Sequence, residues 1–231
     1  QERVAKELGY VDVGRHLAEE QFMRDYYRHA HWIHECARIV IMQTRWEGTR
    51  LRKFMDRTQS TAVTDQIITL RDRLRLTPRA LSRSVKDGSA PQLLMELFRQ
   101  RIKLRLRLSV ATRRQIVEEL PAIAASVSEA GGAREGFLDL LSEQDGVGPV
   151  VREMHELGVL TVLIPEFAGL RSLVRYDLYH RYTVDEHTLF GVGNLDTSKI
   201  GAAHTSDELS EAHGALSQDE RVALRMGMVL H

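Results

Sequence analysis

The chain is poor in residues that staple or punctuate a fold: one cysteine, five prolines, 16 glycines and 6% aromatics over 231 residues. Cys36 alone cannot form an intrachain disulfide, so a reducing, cytoplasmic setting is the expectation. So few turn formers argue against a many-stranded sandwich and favour helices. Long hydrophobic runs are also missing. Stretches such as Ile39-Val40-Ile41-Met42 fall far short of the roughly 20 apolar residues that cross a bilayer, and no membrane span is expected. Gln1 to Gly9 lacks the basic-then-apolar pattern of a secretory signal, and no internal repeat or low-complexity tract occurs. What is present suits a globular chain with a core: 43% hydrophobic and 28% charged residues.

The formal net charge is zero, with 32 basic and 32 acidic side chains, but the charge is unevenly spread. Residues 71–114 carry 13 basic and 3 acidic side chains, whereas residues 115–231 carry 8 and 19. The neutral total therefore joins a segment of +10 to a C-terminal half of −11.

Apolar spacing places the elements. Phe22, Tyr26, Ala30, Ile33, Ala37 and Val40 follow at intervals of 3 and 4, predicting a long amphipathic helix over about Leu17 to Trp46. Ile67 to Leu70 and the alternation Leu74-Arg75-Leu76 suggest a small two-stranded ribbon. Thr77-Pro78 and Ala90-Pro91 each read as a helix start, with proline in the first turn. The second helix continues along Leu93, Leu94, Leu97 and Phe98 into the first half of the alternating stretch up to Leu108, whose second half is left open between helix and strand. Helix resumes over about Ser109 to Ser126, with Pro121 as an expected kink or break. A short helix follows around Phe137 to Leu141, then one opened by Pro149 and ended by Gly158, and Val159 to Ile164 reads as an apolar connection. Thr183 and Glu186 have the spacing of a capping box, residues 197–206 read as a loop, and a last helix covers about Gln218 to His231.

The most distinctive stretch is Asp177-Leu178-Tyr179-His180-Arg181-Tyr182-Thr183-Val184-Asp185-Glu186-His187-Thr188-Leu189, preceded by Gly158-Val159-Leu160 and Ile164-Pro165-Glu166-Phe167. With the run Met23-Arg24-Asp25-Tyr26-Tyr27-Arg28, it resembles the bifunctional PII-protein uridylyltransferase/uridylyl-removing enzymes, in which a nucleotidyltransferase domain is joined to an HD-type phosphohydrolase domain. The resemblance spans roughly residues 17 to 231 and is strongest over 149–189. It implies an all-α fold with at most one small β ribbon: a helical linker region over 1–145, with the basic segment inside it, then the first helices of an HD-like domain over 146–231. It further implies a PII-type signalling protein as partner and substrate, and hydrolysis of a UMP-tyrosine phosphodiester. A nucleotidyltransferase signature is not visible in the sequence.

Such a hydrolase needs neutral imidazoles and carboxylates around a divalent ion, here Mg, Mn, Fe or Zn, with one position left open for water. By resemblance the first ligand is a lone histidine, matched by His187, and the second is the histidine of a His-Asp pair, matched by His231 at 44 residues' distance. The aspartate expected next and a later one are not in this sequence, so at most two of four ligands are present, and the expectation is a natural chain that continues. His180, seven residues before His187, would share its face on a continuing helix and could orient the substrate phosphate or hydrogen-bond to backbone.

Other groupings have plainer readings. His29, His31 and His34 lack a completing carboxylate or thiol at close spacing and read as a solvated helix face. Asp185 and Glu186 are accounted for by capping. Gly191-Val192-Gly193 has neither a preceding strand nor the third glycine of a dinucleotide loop. The basic run holds one aromatic residue, Phe98, so nucleic acid is a poor partner; a solvated surface, or docking to an acidic surface such as the acidic half of this chain, accounts for it better. The competing functional class is a non-catalytic helical regulatory or scaffold module with a degenerate HD fold.

Overall fold

A computed structural model describes residues 1–14, 16–44, 60–127, 132–174, 182–196 and 207–230. The chain is mostly helical with one small sheet, as the spacing predicts. It forms two compact units, residues 1–47 with 166–188 and residues 48–165 with 189–231.

In the first unit, α1 (Glu2–Glu7) is a six-residue helix without an apolar stripe, carrying the i,i+4 pairs Arg3–Glu7 and Lys6–Glu2. The long helix α2 (Ala18–Thr44) forms where the periodicity places it, its start fixed by the Asp12 carboxylate accepting from Ala18 N at 2.7 Å. Its expected apolar stripe is only partly covered. Phe22 packs edge-on against Tyr10 at 5.7 Å, but Tyr26, Ile33 and Val40 are exposed, because the described part of this unit supplies no packing surface beyond the first turns. A 3-10 helix (Pro165–Leu170) leads into the rest of the unit, and the Arg24 guanidinium donates to Gly169 O at 2.9 Å.

The second unit contains the sheet, ordered β1 (Ser60–Ala62), β2 (Ile67–Leu70), β3 (Arg73–Leu76) and β4 (Arg107–Leu108). The expected ribbon is the antiparallel pair β2–β3, in register Ile67 opposite Leu76 and Ile68 opposite Arg75. β1 adds antiparallel and β4 parallel; of the alternating stretch up to Leu108 the first half is helix, as expected, through Leu104, and only Arg107–Leu108 is a strand that returns to β3. Inward-facing Ile67, Leu74 and Leu76 are fully buried. Ser109 N donates to Leu74 O and Leu76 N donates to the buried Thr112 hydroxyl, which ties the sheet to the start of α5 (Val110–Val127).

Helices α3 (Ala80–Asp87) and α4 (Ala90–Leu104) follow the sheet. Pro91 sits in the first turn of α4 as expected, but Thr77-Pro78 forms a turn, closed by Ala80 N to Thr77 O, and α3 starts only after Arg79 in left-handed backbone. Pro121 does not interrupt α5, whose buried residues Ile116, Ile123 and Val127 flank it on both sides and hold the helix to the core. α6 (Gly132–Ser142) and α7 (Val147–Glu156) pack their apolar faces inward, and Leu140, Leu141, Val150, Val151 and Met154 are fully buried. Each such side chain contributes about 1.5–3 kcal/mol of transfer free energy. The expected connection after Gly158 is instead the short helix α8 (Val159–Leu163); an apolar run broken only by Thr161 shows no period from which helix could be read. α9 (Val184–Asn194), α10 (Asp207–Gly214) and α11 (Gln218–Val229) complete the described chain, and α11 opens with a capping box between Ser217 and Glu220.

Candidate functional site

His187 lies in the first turn of α9, with an exposed side chain and its backbone N–H donated to Thr183 O at 2.8 Å. The residue that fixes this turn is Asp185, 4% exposed. Its two oxygens accept from Ser172 N at 2.9 Å and Glu186 N at 3.0 Å, and Val184 N donates to Leu173 O. Asp185 is thus spent on backbone donors, in keeping with its reading as a capping residue. His180 and His231 lie outside the described residues. Among the described residues no group of three or more His, Cys, Asp or Glu side chains converges as a metal site. Of the expected ligands, the described residues hold His187 alone.

The histidines of α2 stand apart from this. His29 Nδ1 bonds to Asp25 O at 2.7 Å, and His29 and His34 are exposed.

Farther along, the second unit contains a buried polar lock that the sequence does not announce. Asp196, just past α9, accepts from Val147 N and Gly148 N at 3.1 Å each, where the first turn of α7 leaves N–H groups unpaired. Arg225 of α11, 1% exposed, lies 3.5 Å from Asp196 Oδ1 and donates to Leu141 O at 2.6 Å, to Glu143 O, to Gln144 O at 3.2 Å and to Leu195 O at 3.4 Å. Burial pushes the Asp196 carboxyl up from its ordinary value, while the two N–H groups and Arg225 pull it down. Burial, and then Arg225, hold the neighbouring His213 below its usual range.

Glycines let the helices close around this lock. A Cβ on Gly148 would lie closer to the Gly193 Cα than real Cβ contacts come, and 3.2 Å from Asp196 Oδ2. One on Gly191 would strike the Met228 methyl. Gly191-Val192-Gly193 is thus a helix-crossing element, consistent with its failure as a nucleotide loop.

Part of the basic segment finds its counter-charge in the acidic half of the same chain. Arg101 and Arg113 both pair with the buried Glu153, Arg113 reaches Glu156 at 3.0 Å, and Arg105 reaches Asp145 at 3.3 Å.

The comparisons with known proteins agree with the motif. Residues 1–41 match the family described as GlnD PII-uridylyltransferase and residues 86–162 the family described as uridylyltransferase GlnD third domain, together about half of the chain. The chain belongs to the GlnD family. Similar proteins named bifunctional uridylyltransferase/uridylyl-removing enzyme come from Cereibacter sphaeroides (28% identical), Ruegeria pomeroyi (27%) and Azospirillum brasilense (28%), each alignment covering 100% of this chain and 24%, 25% and 24% of the relative. The chain thus spans about a quarter of the length of these GlnD relatives. No solved structure matches it. No helix among the described residues is long and apolar enough to cross a membrane.

Proposed function

We propose that this chain is the central part of a PII uridylyltransferase/uridylyl-removing enzyme of the cytoplasm, a linker region over 1–145 followed by the N-terminal part of an HD-like domain over 146–231. In the hydrolytic half-reaction, water attacks phosphorus, the bond to the tyrosine oxygen breaks, the phenol leaves with a proton, and UMP departs from a PII-type signalling protein. His187 and His231 would contribute imidazoles to a divalent ion, Mg, Mn, Fe or Zn, and His180 would orient the phosphate. When bound, such an ion lowers the pKa of water and offsets phosphoryl charge. The observation that carries this reading is His187, set exposed on a helical turn that the buried Asp185 pins by two backbone donors, within the stretch whose sequence resembles the family.

A second reading, a non-catalytic regulatory or scaffold module, is favoured by one observation. Asp185 and Asp196, the buried acidic residues of this stretch, are both engaged by backbone N–H groups. The two readings part on the full-length enzyme purified with its metals, assayed for UMP release from a uridylylated PII-type protein. Loss of release in His187→Ala, with loss of bound metal by elemental analysis, is expected. Metal-free protein whose hydrolytic activity survives His187→Ala would sink the hydrolase reading.

A further inference from the structure

The sheet has a buried face and an outer face, and the outer one is crowded with arginine. Ile67, Leu74 and Leu76 point into the core, so the alternate positions Arg73 and Arg75 of β3 point away from it. β4 lies parallel to β3 with Arg107 in register with Arg73, which sets two guanidinium side chains side by side on neighbouring strands. Like charges so placed oppose strand pairing. Ile68 opposite Arg75 and the buried Leu70 opposite Arg73, both on β2, give the same face apolar members.

The surplus grows at the end where β3 and β4 begin. Arg71 in the β2–β3 turn has φ 57° and Arg105, just ahead of β4, has φ 52°, left-handed backbone that glycine adopts with less strain. Of these arginines, Arg73 has Asp72 at 3.6 Å and Arg105 has Asp145 at 3.3 Å. Arg101 and Arg113 of the same basic segment are neutralised by Glu153 and Glu156, but among the described residues Arg75 and Arg107 have no ion pair.

We propose that this outer face docks an acidic, extended segment of a partner protein. Arg73 and Arg75 are separated by about 6.6 Å along the strand, the distance between residues i and i+2 of an extended peptide. Carboxylates two residues apart would meet both arginines, with Arg107 beside them and Ile68 covering an apolar neighbour. A nucleic acid suits the face less well. The strands hold two to four residues each, whereas polynucleotide affinity is drawn from a tract of roughly 6–10 phosphates, and no aromatic side chain on them can stack a base. The docking face uses none of the residues assigned to hydrolysis, so it stands or falls independently of that reading.

The test is fluorescence anisotropy on the 231-residue chain at about 50 mM salt, where surface charge is weakly screened. The probe is a labelled peptide of about twelve residues with Glu at every second position and Thr between. Saturable binding is expected, weakened about tenfold or more by Arg73→Gln/Arg75→Gln/Arg107→Gln. The control Arg3→Gln/Lys6→Gln/Arg28→Gln removes the same charge from exposed sites of the first unit and should change affinity by less than about twofold. Circular dichroism checks folding. Should the triple variant unfold, Arg107→Glu alone, an exposed change on a two-residue edge strand, carries the test with an expected loss of about fivefold. Absence of peptide binding, equal loss in the control, or tighter binding of an oligouridylate abolished by the same substitutions would each overturn the proposal. So would self-association, seen by sedimentation, that the triple variant relieves, since the face would then be covered by a second copy of the chain.

Discussion

Replacing Asp196 by alanine tests whether the polar lock of the second unit carries its stability. The substitution leaves the N–H groups of Val147 and Gly148 buried without an acceptor and strips Arg225, 1% exposed, of its only carboxylate within 4 Å among the described residues. Removing one member of a buried charge pair costs about 3–5 kcal/mol. Arg225 keeps four carbonyl acceptors, which places the expected loss at the lower end, about 3 kcal/mol. With a urea m-value of about 2 kcal/mol/M, the midpoint should fall by about 1.5 M. Both tryptophans, Trp32 and Trp46, lie in residues 1–47, so tryptophan fluorescence reads the first unit and far-UV circular dichroism is the assay of choice. A cycle with Arg225→Met should return a coupling of about 1 kcal/mol or more. A loss below about 0.5 kcal/mol for Asp196→Ala, or additivity in the cycle, would refute the lock.

Two further outcomes follow from the same region. Gly148→Ala should destabilise by about 1–3 kcal/mol, since its methyl meets backbone at Gly193, whereas Gly191→Ala should cost less because it meets only the movable end of Met228; equal midpoints in urea melts would contradict this. His213, held below its ordinary value of 6.5 by burial, stays neutral in the folded chain while the unfolded chain takes up a proton. Stability should therefore be fully present above about pH 6.5 and fall as pH drops below it, and His213→Gln should flatten that slope in thermal melts at graded pH.

How much was legible depended on whether the cause was local. Leu93, Leu94, Leu97 and Phe98 repeat at helical spacing behind a proline, so α4 could be read directly. β4 could not, because two residues carry no period and owe their strand to pairing with Arg73 and Leu74. α1 escaped notice because it has no apolar stripe to read. The placement of His187 at a helix start was legible from its motif. The lock was not, since Asp196 finds its partners 48 and 49 residues upstream and 29 downstream, and a lone Asp or Arg in sequence bears no mark of such a partner. Gly191 and Gly193 carried a false signal for the same reason: their use lies in Met228 and Gly148, across a helix crossing.

That crossing has a mechanical consequence. Helices that meet through side chains interdigitate, and the ridges fix both their separation and their angle. At Gly148 and Gly193 there are no side chains to mesh, so α7 and the end of α9 come as near as their backbones allow. Asp196, gripping the start of α7, and Arg225, gripping Leu195 beside it, fasten that close approach. A side chain at Gly148 would hold the two backbones apart and draw the Asp196 carboxylate off the N–H groups it caps.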